Sequence, residues 1–216
     1  MDFSLIFSAL FFTSIIFLWL AVRKKRQISF IQNYQFHDSI KAKVSKQYPH
    51  LSNEQLDLVF DGLRTYFYIC NKAKRKTVAM PSQVVDIAWH EFIIFTKAYE
   101  RFSQKAIGRF LHHTPTEAMR TPTLAQEGIK RAWRLSCVKE QINPQSPIRL
   151  PLLFAIDGLL EIEDGYHYSL DCQNKSDTGG TTYCAGAIGC SSGCAGGSGS
   201  TTGCSASSCG SGCGGD

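Results

Sequence analysis

The stretch that decides the fold is residues 80–99, which read MPSQVVDIAWHEFIIFTKAY. Apolar side chains cover nearly every side of a helix with this sequence, and a helix that is apolar all round is buried inside a domain. Ser82, directly after Pro81, is the expected N-cap. The helical periodicity continues through Tyr99, and Gly108 provides a left-handed stop. The sequence therefore predicts one long central helix that ends before Gly108.

Two polar residues, Asp86 and His90, lie one turn apart in this helix and share a face. Polar groups in a buried helix need partners, so the pair is either a structural contact or a site. Further along the chain, His112 and His113 add two imidazoles. Two imidazoles and a carboxylate suit non-haem iron, and also zinc when a water completes the coordination. These four residues are therefore the candidate ligands of a divalent metal, zinc or iron.

Two interpretations without a metal remain open for the same residues. In the first, His90 is a core histidine that bonds to Asp86 or a backbone carbonyl beside Trp89, and His112-His113 lines a helix start. In the second, Asp86 orients His90 as a general base. The complete candidate polar site consists of Asp86, Trp89, His90, Tyr99, His112 and His113.

The segments before the central helix also predict helices. Residues 36–48 predict a short basic helix that Pro49 ends. Ser52, with Gln55 three residues later, forms a capping-box signature for the next helix. One stripe of that helix is apolar at helical spacing and is expected in the core, namely Leu56, Val59, Phe60, Leu63, Phe67 and Cys70.

The segments after the central helix are more varied. Thr123 begins a predicted helix that runs to about Gln141, and residues 151–160 form a short apolar helix or a buried strand. Asp164-Gly165 is flanked by residues 160–163 and 166–170, which predicts a hairpin. The fold class is therefore mainly α, with a helical globular domain at residues 27–175 and a small C-terminal β-hairpin.

The N-terminal segment predicts a membrane anchor. Residues 3–22 carry no charge and would extend about 30 Å as a helix, enough to cross a bilayer. Positive charge follows this segment at Arg23–Arg26, whereas a cleaved signal peptide carries it in front. Residues 1–26 are therefore interpreted as a retained transmembrane anchor and basic flank. The positive-inside rule then places the domain and tail on the cytoplasmic side of the plasma (inner) membrane, in a single-pass arrangement.

The C-terminal segment, residues 176–216, is a low-complexity tail of Gly, Ser, Thr and Cys. It offers almost nothing apolar to bury, which predicts disorder. Disulfides are not expected, because the assigned topology exposes the tail to a reducing compartment. Six cysteines lie in it, namely Cys184, Cys190, Cys194, Cys204, Cys209 and Cys213.

Charge and motifs exclude several classes of function. The net charge of +5 is a moderate excess without a long basic run inside the domain, so nucleic-acid binding is not indicated. The chain also lacks a phosphate-binding glycine loop, a nucleophile elbow and a His-Glu-x-x-His motif.

The segment Val85-Asp86-Ile87-Ala88-Trp89-His90, with Tyr99 downstream, resembles the glycine-rich domain-containing protein family and its membrane-anchored bacterial relatives. Residues 111–115 and 152–157 are similar to segments of those relatives, and the order of helical domain and glycine-rich tail also matches. Plant members often carry a second histidine where this chain has Phe92. The resemblance covers residues 50–172 and implies a helical fold without a settled chemistry.

Three functions follow from these observations. The first is a membrane-anchored helical module that binds a protein partner or ligand at the cytoplasmic face, with the bilayer contacted through residues 3–22. The second is a metal-dependent enzyme built on Asp86, His90 and either His112 or His113. In the third, the thiol-rich tail is a metal-binding or redox element.

Overall fold

The computed structural model describes residues 3–113, 122–170, 182–185 and 188, and this part of the chain is mainly helical. Its helices are α1 (Phe3–Gln32), α2 (Asp38–Gln47), α3 (Asn53–Ala73), α4 (Gln83–Ile94), α5 (Thr96–Ala106), α6 (Pro122–Lys139) and α7 (Leu152–Leu159). Two short strands, β1 (His167–Ser169) and β2 (Thr182–Cys184), form a parallel pair. The described residues thus confirm a mainly α fold with a small two-stranded sheet.

Helix α3 is the central packing element, because it contacts α1, α2, α4, α6 and α7. The predicted capping box is confirmed: Ser52 accepts a hydrogen bond from the backbone of Gln55, whose side chain accepts one from the backbone of Ser52. The predicted apolar stripe is buried along its whole length. Sequence therefore located this helix and its core face correctly.

The predicted long central helix is two helices, α4 and α5, that meet at Phe95. Ser82 caps α4 as predicted, since its side chain accepts from the backbone N–H of Val85. At Phe95 the backbone leaves the helical region (φ −78°, ψ 58°). This bend returns Tyr99 to the core, where it is buried, whereas exposed Ile94 lies just before the bend. The predicted stop is confirmed, with Gly108 at φ 83°.

The predicted hairpin around Asp164-Gly165 is wrong. Residues 160–163 continue the end of α7 instead of forming a strand: Leu160 donates to Ile156, and Ile162 donates to Asp157. These bonds satisfy the last carbonyls of the helix, which leaves the segment no strand partner. The ambiguous segment at 151–160 is resolved as helix α7.

Strand β1 pairs with β2, which lies inside the predicted tail. Tyr168 is in register with Tyr183, and Ala185 directly after β2 is buried. Cys184 forms a disulfide bond, contrary to the expectation for the tail, whereas Cys70 and Cys137 are free. Residues 182–184 of the predicted tail thus form a strand, and residues 189–216 lie outside the described residues.

Helix α1 runs unbroken from the N-terminal apolar segment into the domain. Its first part exposes large apolar side chains such as Phe11 and Phe17. The helix contacts α3 and α5, and Phe30 in its last turns packs against Phe102 of α5. Among the residues that the structure describes, no helix meets the length and apolarity needed to cross a membrane. The predicted helix start beside His112-His113 falls on residues 114–121, which lie outside the described residues.

Candidate metal centre

Three of the predicted site residues converge at one point of the surface. Asp86 and His90 lie on α4, and His113 lies on the segment that follows α5. His113 Nε2 is 3.0 Å from Asp86 Oδ1, and His90 Nδ1 is 3.6 Å from Asp86 Oδ2. One ligand atom from each of the three residues can be chosen so that all lie within 4.8 Å of one another. One metal ion could contact all three after small side-chain rotations.

The three side chains of the cluster differ in how much of their surface is exposed to solvent. The side chains of His113, Asp86 and His90 are 13%, 21% and 45% exposed. His90 is therefore not the core histidine of the first metal-free interpretation, and the closer partner of Asp86 is His113. Helix α4 presents His90 to solvent because the core is contacted by the opposite face, which carries Ala88 and Phe92.

Trp89 and Tyr99 hold the cluster in place without contributing a ligand atom. Trp89 Nε1 donates to Tyr99 Oη at 3.1 Å, and Tyr99 Oη donates to the carbonyl of Leu111. This chain of bonds fixes the backbone two residues before His113. The indole of Trp89 also packs edge-on against His113, with ring centroids 4.4 Å apart. Burial raises the pKa of Tyr99 to about 12, so its phenol stays protonated and keeps this hydrogen bond at neutral pH.

The structure separates the two neighbouring histidines that the sequence could not distinguish. His112 is exposed and packs on Phe110, with ring centroids 4.9 Å apart, and it does not belong to the three-residue cluster. His113 lies over Trp89 and Asp86. Only one histidine of the pair therefore reaches the candidate metal position.

A cavity of about 200 Å³ opens beside the cluster. Asp86, His112 and His113 form part of its wall. Sequence reasoning missed the remaining wall residues that bear polar groups, which include Tyr66, Cys70, Arg75, Lys76, Arg109 and Tyr166. Arg75 and Lys76 belong to a short basic segment, residues 72–76, at the end of α3. Such a segment also fits an ordinary solvated helix end.

Cys70 and Tyr66 in the cavity wall stay neutral. Burial raises the pKa of Cys70 to about 12, which leaves a protonated thiol with little nucleophilic or metal-binding character at neutral pH. Burial also raises the pKa of Tyr66 well above its ordinary value, and its hydroxyl donates to the carbonyl of Val78 at 3.0 Å. Metal chemistry at this cavity therefore depends on the three-residue cluster.

No curated protein and no solved structure matches the chain. A family model described as UCP032817-like matches residues 26–188, which include every residue of the cluster and of the cavity wall. The description of this family names no reaction, ligand or partner. Because the match spans well over half of the sequence, the chain belongs to the UCP032817-like family.

Proposed function

We propose that this protein is a membrane-attached helical module that binds a divalent metal ion, zinc or iron(II), and through it a ligand. The ligands are Asp86, His90 and His113. The observation that carries the proposal is the convergence of one carboxylate and two imidazoles within 4.8 Å. Two histidines and a carboxylate are the protein ligands of many zinc and iron(II) sites, which keep further coordination positions open.

The geometry favours a metal over a purely structural contact. A structural pair is complete with Asp86 and His113, whose atoms are 3.0 Å apart. His90 adds a third group that is 45% exposed, and its ring lies only 4.3 Å from that of His113. A bound cation would accept one lone pair from each imidazole, which gives the convergence of both rings on Asp86 a role.

Ligand binding is favoured over catalysis by Cys70 or Tyr66 as nucleophile or general base, because burial keeps both side chains protonated. A metal-dependent enzyme at this site is the second candidate. It would rely on a metal-bound water as nucleophile, since a metal with open positions lowers the pKa of such a water.

Membrane attachment is part of the proposal. It rests on the uncharged segment at residues 3–22 and on its exposed apolar side chains, such as Phe11 and Phe17. An exposed apolar surface of this extent is normally covered by lipid or by another protein. We also propose a relationship to the glycine-rich domain-containing proteins, which rests on Asp86, Trp89, His90 and Tyr99.

The metal site is tested by elemental analysis of the intact chain, purified in detergent without chelator. We expect about one zinc or iron per chain, and loss of most of it in Asp86→Asn and His113→Ala, because each removes a ligand. His112→Ala and His167→Ala are the matched controls, since each removes a histidine outside the cluster. A chain that lacks residues 189–216 should keep its metal, because the cluster and strand β2 precede this segment.

Cobalt(II) provides a second measurement, because its visible absorption bands report the ligand set. Cobalt bands in the wild type that disappear in His113→Ala but persist in His112→Ala would support the assignment. Equal metal content in all four variants, or metal only in chains that carry the tail, would overturn it and favour the thiol-rich tail as the metal-binding element.

A further inference from the structure

We infer that the cavity beside the metal cluster binds a small phosphate-type oxyanion. The inference deepens the proposed function, because the metal at Asp86, His90 and His113 would supply one contact to the anion. The main observation behind it is the positive charge of the cavity wall, which does not depend on the metal. Arg75, Lys76 and Arg109 line a cavity whose wall contains Asp86 as its one carboxylate within the described residues.

The cations of the wall make no ion pair with the described residues. Within the part of the chain that the structure describes, no carboxylate lies within salt-bridge distance of Arg75, Lys76 or Arg109. Asp86, the carboxylate of the wall, already contacts His113 and His90. A cleft that is lined by charges of one sign concentrates the opposite ion. The wall therefore favours an anion with more than one negative charge.

Arg109 is positioned in advance of binding. Its guanidinium donates to the carbonyl of Lys74 at 3.0 Å and to that of Phe110 at 3.3 Å. These two bonds use only part of its five donors, so others remain for an anion. Because the side chain is already held, binding costs less conformational entropy than for a free arginine. Its planar guanidinium also matches the oxygens of phosphate.

Size decides which anions fit. The cavity of about 200 Å³ is smaller than the roughly 300–1,000 Å³ of pockets for drug-sized ligands. Its inner wall includes the rings of Tyr66 and Trp89 and the side chain of Leu111, which are buried in the domain core. Inorganic phosphate or the phosphate group of a small ester fits within this volume.

The test is calorimetric titration of the metal-loaded intact chain with inorganic phosphate. The variant Arg75→Gln/Lys76→Gln removes two cations of the wall. We expect phosphate to bind at least about tenfold more weakly, because the loss of one charge-assisted hydrogen bond already raises Kd by about that factor. The matched control is Lys72→Gln/Lys97→Gln. It removes the same charge at exposed residues that do not line the cavity.

Each result decides for or against the inference. Phosphate binding that is weakened in the first double variant and unchanged in the control supports it. Equal weakening in both would show a long-range charge effect and overturn it, as would malonate binding as tightly as phosphate. Metal content of the same samples separates the two proposals. If the purified chain contains no metal but binds phosphate, the anion site is supported and the metal proposal fails. If the chain contains metal but does not bind phosphate, the anion site alone is overturned.

Discussion

At the scale of single residues, the buried Asp157 has a role that the local sequence does not reveal. Its carboxylate accepts hydrogen bonds from Ser82 Oγ at 2.6 Å and from the backbone N–H groups of Gln83, Val84 and Tyr166. Three of these donors lie at the start of α4. A carboxylate at a helix N-terminus satisfies donors that have no partner within the helix and interacts favourably with the helix dipole. Asp157 therefore fixes the start of the helix that carries Asp86 and His90.

Replacing this carboxylate should destabilise the protein strongly. In Asp157→Asn one carboxylate oxygen becomes an amide donor that faces backbone donors, so we expect a loss of about 2–4 kcal/mol in the free energy of unfolding. The measurement is urea denaturation of the intact chain, followed by circular dichroism. Asp164→Asn is the matched control, because the hydrogen bonds of the exposed Asp164 to other described residues are long, at 3.3 Å to Tyr48 and 3.4 Å to Gln83. Similar losses in both variants would contradict this role.

At the scale of elements, Gly62 allows three helices to approach closely. It lies on the buried face of α3. A Cβ at this position would lie 2.9 Å from Val85 on α4 and 3.3 Å from Ile156 on α7. Both neighbours are fully buried and surrounded by core side chains, so they cannot move away without disturbing the core. The absence of a side chain at Gly62 therefore sets the spacing of α3, α4 and α7.

Two glycine-to-alanine substitutions separate this packing effect from helix propensity. Gly62→Ala should lower the free energy of unfolding by about 1–3 kcal/mol, because overpacking outweighs the better helix propensity of alanine. Gly158→Ala on α7 adds a Cβ in ordinary contact, 3.7 Å from His167. It should be neutral or should stabilise by up to about 1 kcal/mol. Thermal unfolding of both variants measures the difference. A Gly62→Ala variant as stable as the wild type would show that the helices have room to separate.

At the scale of the whole molecule, α1 joins an apolar segment to the helical domain without an interruption. Arg23 lies at this junction, with its guanidinium 5.4 Å from the ring of Trp19. A tryptophan and an arginine at the end of an apolar helix are typical of a membrane interface. If residues 3–22 cross the inner membrane, the position of the basic flank sets the side on which the domain lies.

We predict that residues 27–216 face the cytoplasm, because positively charged flanks are retained on that side. A membrane-impermeant thiol reagent should label Asp2→Cys in intact cells, and it should label the native cysteines only after permeabilisation. Labelling of the native cysteines before permeabilisation would reverse the orientation. It would also agree with the disulfide at Cys184, since disulfides persist in oxidising compartments.

The sequence by itself determined the elements whose signals are local. The capping box at Ser52, the cap at Ser82 and the stop at Gly108 were all predicted correctly, because each depends on a few neighbouring residues. The buried stripe of α3 followed from helical periodicity. The sequence also identified Asp86, His90 and the pair His112-His113 as candidate site residues, since helical spacing and residue chemistry can be read from the sequence alone.

Only the tertiary structure decided the features that depend on distant contacts. The bend at Phe95 returns Tyr99 to the core, and the bond from Tyr99 to the carbonyl of Leu111 is what brings His113 to Asp86. The predicted hairpin failed because residues 160–163 complete α7, while β1 pairs with a strand inside the glycine-rich segment. The basic cavity arises where the end of α3 meets the segment after α5. Periodicity records which face of a helix is apolar, but it contains no information on which other element covers that face.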